Sequence, residues 1–183
     1  MNTVSFKLFV QGYYAGNGTM KPVKNNQDGV SPTNEVETVT ATLWAGANAV
    51  ETATATLQTD GTATFEFESS GNYHASVRGV NSLEVFTPVV LTVGTTPVSY
   101  DFTIASSQAH GSNQIEVETN VFALYSGDIN QDGVINQADI DLYETAIANS
   151  DFGVQATDLN GDGGVDNQDT DYASNVGKSV SRP

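Results

Sequence analysis

Two copies of one twelve-residue pattern near the end of the chain constrain its fold more than any other feature. The first copy runs from Asp128 to Asp139 and the second from Asp158 to Asp169, an offset of 30 residues. In each copy Asp or Asn occupies positions 1, 3, 5, 9 and 12, and glycine occupies position 6. Each copy therefore has room for one tightly curled loop followed by one helix.

This spacing predicts a calcium site in each loop. Calcium is a hard cation that takes about 6–8 oxygen ligands, and alternate residues of a curled loop point toward one centre. Position 7 contributes its backbone carbonyl, position 9 acts directly or through water, and glycine at position 6 allows the sharp turn. The predicted ligands are Asp128, Asn130, Asp132, Val134, Asn136 and Asp139 in loop 1, and Asp158, Asn160, Asp162, Gly164, Asp166 and Asp169 in loop 2.

The alternative is a pair of Asx-rich surface turns with solvated carboxylates, because Asp, Asn and Gly also cluster in ordinary turns. Two matches in the same register argue against it, and so does the repulsion among several carboxylates confined to one small loop. Ile135 and Val165, both at position 8, are apolar. We expect them to pair across the two loops in a short ladder that couples the sites.

Residues from about 126 to 177 resemble a dockerin, with two tandem calcium loops, a helix after each, no incoming helix and Asp at position 12. The resemblance implies two Ca²⁺ sites and attachment of a secreted bacterial protein to a cohesin partner. Positions 10 and 11 are Gln137-Ala138 and Asn167-Gln168, where dockerins usually carry a small hydroxyl or apolar pair. The partner therefore stays open between a cohesin-like protein and a second copy of the chain.

Upstream of the loops, eight or nine short apolar–polar alternating segments separated by turns predict an antiparallel β-sandwich over residues 1–125. The segment from Thr59 to Phe65, which we interpret as a hairpin turn and strand, and Gly71 to Tyr73 resemble Ig-like, prealbumin-like and Cna-B-like sandwiches. We expect a long exposed loop over 21–34 and no helix before residue 136. The fold class is thus mainly β, a sandwich followed by a small two-helix calcium module over 126–183, similar to X-module–dockerin pairs.

Charge and composition narrow the partners. The net charge is −16, of which −9 falls in residues 125–183. Such acidity argues against nucleic acid or an anionic membrane as partner, and no apolar stretch is long enough to span a membrane. Cysteine is absent, and the first residues lack the basic start and apolar run of a signal peptide. We expect a mature or excised piece of a longer secreted or cell-surface protein, held by calcium in place of disulfides.

The sequence contains no catalytic constellation, so we predict that the protein is not an enzyme. His74 lies on a predicted strand and His110 beside Gly111 in a predicted loop. Glu66, Glu68, Glu84, Glu116 and Glu118 alternate with apolar residues, so most of them belong to the solvated face of strands. Trp44, Tyr13 and Tyr14 could stack on a sugar, although aromatic side chains are more often simply buried.

Three functions follow from these patterns. The first is a non-catalytic, calcium-stabilised attachment module that docks to a protein. The second is a subunit of an extracellular filament or surface layer, in which the apolar first strand, Val4 to Val10, pairs with the sheet edge of a neighbour. The third is a sandwich that binds polysaccharide.

Overall fold

The computed structural model describes residues 1–153, 155–169 and 174–183. Twelve strands and two helices are present in that part of the chain. The strands are β1 Asn2–Lys7, β2 Tyr14–Gly16, β3 Thr19–Met20, β4 Glu35–Ala45, β5 Asn48–Gln58, β6 Thr62–Phe67, β7 Gly71–Arg78, β8 Val85–Phe86, β9 Leu91–Val93, β10 Val98–Asp101, β11 Ile115–Glu118 and β12 Val121–Ala123. The helices are α1 Val23–Asp28 and α2 Gln137–Asn149, and short 3₁₀ turns occupy Gln11–Tyr13, Ser106–Gln108 and His110–Ser112.

Two sheets form the predicted sandwich. One has the order β5-β4-β7-β8, with β9 also paired to β7, and the other has the order β10-β1-β6. Alternate residues of β1 and β6 are buried, which gives each strand one apolar face, as its sequence alternation predicts. Between the sheets, the Phe6 ring packs against Phe65 and Phe102 with centroids 5.6 Å apart in both cases.

Four details differ from the sequence predictions, and the first is strand direction. β1 and β10 are parallel, with Val4 opposite Val98 and Phe6 opposite Tyr100, so the sandwich is not wholly antiparallel. Alternation places a residue on a face but carries no information on the direction of the neighbouring strand. β1 is also paired on its other side with β6. Both of its edges are therefore occupied, and it cannot add to a neighbour's sheet as the filament hypothesis required.

The second and third differences concern turns. Asp60-Gly61 does not close a hairpin, because β5 belongs to the five-stranded sheet and β6 to the three-stranded one; the turn carries the chain from one sheet to the other. Residues 115–124, whose alternation in the sequence predicts one strand, form the hairpin β11–β12. Asn120 adopts a left-handed conformation at that turn, which Asn tolerates better than most residues.

The fourth difference is α1, which lies inside the predicted exposed loop. Pro22 precedes its first residue, Gly29 ends it in a left-handed conformation, and Val23 is its one buried residue. A six-residue helix with a single apolar anchor shows no periodicity, so the sequence pattern missed it. The calcium module predicted over residues 126–183 is called the tail below. Its second helix, which the sequence predicts from about Asn167, includes residues 170–173, and these lie outside the described residues.

Candidate metal centre

The two twelve-residue loops have the same internal frame. In both, the backbone N–H of position 5 donates a hydrogen bond to the side chain of position 3. The N–H of position 6 donates to the side chain of position 1, and the N–H of position 7 donates to the side chain of position 5. In both, the N–H groups of positions 3 and 9 donate to the carboxylate of position 12, and that of position 11 to position 9. Loop 1 and loop 2 are therefore two copies of one local structure.

The start of α2 fixes position 12 of loop 1. Asn136 caps the helix by accepting the N–H of Ala138, and the Asp139 carboxylate accepts the N–H of Asn136 in return, which makes a capping box. The other Asp139 oxygen accepts the N–H groups of Ile129 at 2.8 Å and Asn130 at 3.1 Å. The capping residues at positions 9 to 12 thus bring the last carboxylate of the loop back to its beginning.

Burial divides the predicted ligands in the same way in both loops. Positions 1 and 12 are buried: Asp128 is 3% exposed, Asp139 and Asp158 0%, and Asp169 1%. The side chains of Asp132, Asp162 and Asp166 face solvent. Each loop therefore holds two carboxylates inside the protein and presents its remaining oxygens at the surface.

Among the described residues, the buried carboxylates form no ion pair with a Lys, Arg or His side chain. In the described part of the chain the ion pairs are Lys24–Glu35 and Arg182–Glu84, both away from positions 1 and 12. Burial raises the pKa of Asp128 to about 6, and the adjacent Asp139 carboxylate adds to the shift. Burial likewise raises the pKa of Asp169 to about 6 and raises that of Asp158. Buried carboxylates without a counter-charge bind either protons or a cation.

An all-oxygen donor set with an unsatisfied buried member suits a hard divalent cation. Asp128 Oδ1 is buried without a hydrogen-bond partner, whereas both Asp158 oxygens accept hydrogen bonds. Within residues 1–153, 155–169 and 174–183, no three His, Cys, Asp or Glu side chains converge closely enough to hold a metal by themselves. A cation here would therefore need the Asn side chains and the position 7 carbonyl as well as the carboxylates.

The predicted ladder between Ile135 and Val165 is wrong. The Ile135 N–H donates to the Lys178 carbonyl, and the Ile135 carbonyl accepts the Gly177 N–H, both at 2.9 Å. Loop 2 pairs instead with the segment before it, through a bridge between Phe152 and Gly164. A small apolar core joins the two loops. Loop 1 contributes Ile129, loop 2 contributes Leu159 and Val165, and α2 contributes Tyr143 and Ala146.

One turn of the sandwich, residues 79–82, supports both loops. Gly79 accepts a hydrogen bond from the Gln131 side chain of loop 1 at 2.7 Å. The Asn81 side chain donates to the Ala156 carbonyl at 3.0 Å, beside loop 2. Asn81 also donates to the hydroxyl of Tyr13, which is fully buried. The loops are thus packed on the sandwich and are not tethered by a linker.

Sequence reasoning missed Glu37, which lies beneath this turn. Glu37 is 4% exposed and accepts the Val80 N–H at 2.7 Å, while its Oε1 has no partner. Burial raises its pKa to about 7, although the Val80 hydrogen bond acts in the opposite direction. The sequence contains a signal for this burial, because Glu37 has the same strand parity as Val39 and Ala41, which face the core.

Two pairs of the other residues considered from the sequence are neighbours: the Tyr14 hydroxyl donates to Glu118 at 2.7 Å, and Trp44 lies opposite His74 where β4 pairs with β7. His74 contacts the Thr87 carbonyl and His110 the Ser181 hydroxyl. Glu66, Glu68, Glu116 and Glu118 are exposed, as expected, and Glu84 is half-buried. Trp44 is half-buried on the outer face of the sheet, next to Phe86 and under the Arg182 guanidinium.

A cleft of about 490 Å³ separates this outer sheet face from loop 1. Its floor includes the hydroxyls of Thr40 and Thr42, its wall includes Asp128, and Arg78 and Trp44 also line it. The cleft has a mixed polar and apolar lining and opens to solvent beside Asp128 and Asp132 of loop 1.

Comparison with known proteins establishes the fold. No family model matches the chain, and no curated protein matches it. A crystal structure of a C-terminal interface mutant of a type II cohesin–X-dockerin complex from Acetivibrio cellulolyticus contains a chain that aligns with a TM-score of 0.56 and 19% identity, covering 98% of this chain and 97% of that one. The N-terminal interface mutant of the complex aligns with a TM-score of 0.55 and 17% identity over the same shares.

The chain therefore has the mainly β sandwich fold found in these cohesin–X-dockerin complexes. Among the residues that the structure describes, no helix combines the length and the apolar character needed to cross a membrane.

Proposed function

We propose that the chain is a non-catalytic, extracellular calcium-binding module that docks to another protein. The observation that carries the calcium assignment is the pair of buried carboxylates at positions 1 and 12 of both loops. They sit in matching hydrogen-bonded frames, and no ion pair of the described residues involves them. A divalent ion in each loop would neutralise these carboxylates and hold the tail folded against the sandwich.

The residues that would hold the two ions are those that the spacing predicts. Bound calcium would supply charge neutralisation and a fixed centre for the loop, and the chain supplies the positioning. Asp139 and Asp169, at position 12, are held by backbone N–H groups from the beginning of their own loops. The domain boundary near residue 125 remains a prediction.

Isothermal titration calorimetry with CaCl₂ on the chelator-treated protein tests the calcium assignment. We expect the unmodified chain to bind two ions, and the variants Asp139→Ala and Asp169→Ala to bind one ion each. Asp141→Ala serves as the matched control, because Asp141 lies in α2 two residues beyond loop 1 and outside the predicted ligand set; this variant retains two sites. No heat of binding at millimolar calcium in the unmodified protein would reject the proposal.

The docking part of the proposal rests on the fold and on the tail surface. The similar structures are cohesin–X-dockerin complexes, and Leu142 and Phe152 of the tail are 44% and 79% exposed. Exposed apolar side chains of this size are common at protein interfaces. We therefore assign the tail as the docking surface, for a cohesin-like protein or for a second copy of this chain.

Two measurements distinguish these partners. Analytical ultracentrifugation with and without calcium detects self-association, and titration with a purified type II cohesin detects the cohesin-like alternative. We expect Leu142→Ser and Phe152→Ser to weaken whichever complex forms. Val89→Ser serves as control, because Val89 belongs to the sandwich and is 54% exposed. A protein that stays monomeric and does not bind the cohesin at about 100 µM would contradict the docking assignment to either partner.

Polysaccharide binding is the second candidate, and the cleft beside loop 1 favours it. Hydroxyl, guanidinium and carboxylate groups beside one aromatic side chain can hydrogen-bond to and pack against a sugar. Affinity electrophoresis in gels of soluble glucan, xylan and polygalacturonate tests it. Retardation that is lost in Arg78→Ala supports the candidate, and unchanged mobility in all three gels argues against it.

A further inference from the structure

The closing segment of the described chain, residues 177–183, runs along loop 1 as a short strand-like strap. Its Lys178 carbonyl accepts the Ile135 N–H, and its Val180 N–H donates to the Gly133 carbonyl, both at 2.9 Å. Val134 and Ser179 form an antiparallel bridge between these two hydrogen bonds. The strap therefore pairs with positions 6, 7 and 8 of loop 1.

The other end of the strap lies on the sandwich. The Arg182 guanidinium lies 4.8 Å from the centroid of the Trp44 ring and 5.1 Å from that of Phe86, and pairs with Glu84 at 3.6 Å. The Ser179 carbonyl accepts a hydrogen bond from the Asn113 side chain at 3.1 Å. The strap thus connects the backbone of loop 1 with an aromatic surface on β4 and β8.

Val180 and Arg182 are also among the residues that line the 490 Å³ cleft, opposite its threonine floor. The position of the strap consequently decides how wide the cleft is. Release of the strap would remove this wall and uncover the ring face of Trp44.

The paired part of loop 1 is the part whose backbone a metal ion would fix. The Val134 carbonyl is the position 7 ligand, and its peptide lies within the ladder to the strap. At present this carbonyl accepts a hydrogen bond from the Asn136 side chain at 3.1 Å. A metal ion and the strap would therefore order the same three residues. Once one of them has ordered these residues, binding of the other costs less conformational entropy.

We infer that residues 177–183 form a calcium-coupled strap, which occupancy of loop 1 holds closed over Trp44 and which loosens when the loop is empty. This inference rests on the proposed calcium function. Because coupling between sites is reciprocal, weakening the strap must also weaken calcium binding in loop 1.

Trp44 is the single tryptophan of the chain, so its fluorescence reports on the strap directly. In the Asp169→Ala background, which leaves loop 1 as the single site, we expect calcium to change Trp44 emission with the same midpoint as the heat of binding. Arg182→Ala removes the cation above the ring and abolishes most of this response. Far-UV circular dichroism confirms that each variant is folded.

Val180→Pro and Val180→Ala form the matched pair for the reciprocal effect. Proline lacks the N–H that donates to Gly133, whereas alanine keeps it. We expect Val180→Pro to weaken loop 1 about tenfold, within the usual range of coupling between sites, and Val180→Ala to weaken it less than twofold. Equal calcium affinity of loop 1 in the two variants would refute the coupling. Trp44 emission that stays unchanged while calorimetry detects calcium binding would also refute it. Absence of calcium uptake by the unmodified chain is a different result, because it rejects the calcium function itself.

Discussion

Loop 1 and loop 2 have the same hydrogen-bonded frame but different surroundings. Loop 1 leaves one oxygen of Asp128 unpartnered and is bordered by the strap and an open cleft. In loop 2 the Gln27 side chain of α1 donates to Asp158 at 2.9 Å. Lys21 reaches the Asn160 carbonyl at 2.6 Å, and Asn26 reaches that of Gly161 at 2.7 Å. Both loops rest on the sandwich turn at residues 79–82, but loop 2 is also held by α1 and Lys21, whereas loop 1 is also held by the strap.

One local sequence pattern thus lies in two different surroundings. Loop 2 presses against α1 and Tyr13, so its shape is set in large part by the sandwich. Loop 1 depends more on the strap, so an ion bound there would have more order left to supply. We expect loop 2 to act mainly as a structural site and loop 1 to be the one that responds to calcium.

The largest expected effect compares the two loop glycines at position 6. Both glycines have a positive φ, +86° at Gly133 and +93° at Gly163, so an alanine has a strained backbone at either position. A Cβ on Gly163 would also collide with the Asn26 backbone, whereas one on Gly133 would meet only the Val180 side chain at 3.2 Å. In calcium-free buffer we expect Gly163→Ala to lower the free energy of unfolding by about 3 kcal/mol and Gly133→Ala by about 1–2 kcal/mol.

Urea denaturation monitored by circular dichroism measures both values. Equal losses in the two variants would show that the sandwich does not hold loop 2 more tightly than loop 1, and the comparison would then fail.

The next effect concerns Glu37, beneath the turn that supports both loops. Its folded-state pKa, raised to about 7, lies above its unfolded value, so the folded state binds the proton more tightly. The free energy of unfolding therefore falls as pH rises from about 4.5 to 7. Glu37→Gln removes this loss, and we expect it to stabilise the protein by about 2 kcal/mol at pH 8 and by little at pH 4.5.

Thermal unfolding of both proteins across this pH range provides the test, with exposed Glu66→Gln as the control. Stabilisation that is the same at pH 4.5 and pH 8 would mean that the ionisation of Glu37 is not its cause.

The smallest effect is the pH dependence of calcium binding. The pKa of Asp128 and that of Asp169 are both raised to about 6 by burial, and a protonated carboxyl must lose its proton before it binds an ion. Below pH 6 we expect the affinity of each loop to fall about tenfold per pH unit. In the calcium-free protein the same shifts make the free energy of unfolding fall as pH rises from about 4 to 6.

Calorimetric titrations at pH 5, 6 and 7 on the single-site variants Asp139→Ala and Asp169→Ala resolve the two loops. Affinities that do not change between pH 5 and 7 would show that neither carboxyl binds a proton in competition with calcium.

The sequence was informative where structure is local. The capping box of Asn136 and Asp139 and the glycines of the loops are encoded by neighbouring residues, and the alternation of β1 and β6 gave the buried face of the sandwich. The parallel pairing of β1 with β10 and the pairing of Ile135 with the strap join residues far apart in the chain. Periodicity within a segment does not specify its partner, so neither could be derived from the sequence.

Glu37 is a different kind of omission. Strand parity places it on the inner face with Val39 and Ala41, although glutamate is usually exposed. A charged residue in phase with a buried apolar face is therefore worth examining as a buried titratable group before a structure is known.

A crystal structure of the chain grown in millimolar calcium tests the central claim most directly. We expect one ion in each loop, bound to the oxygens of positions 1, 3, 5, 7 and 12 at about 2.3–2.6 Å, with Asp128 Oδ1 now a ligand. Electron density that shows no ion in either loop, with Asp128 and Asp158 unchanged, would contradict the account.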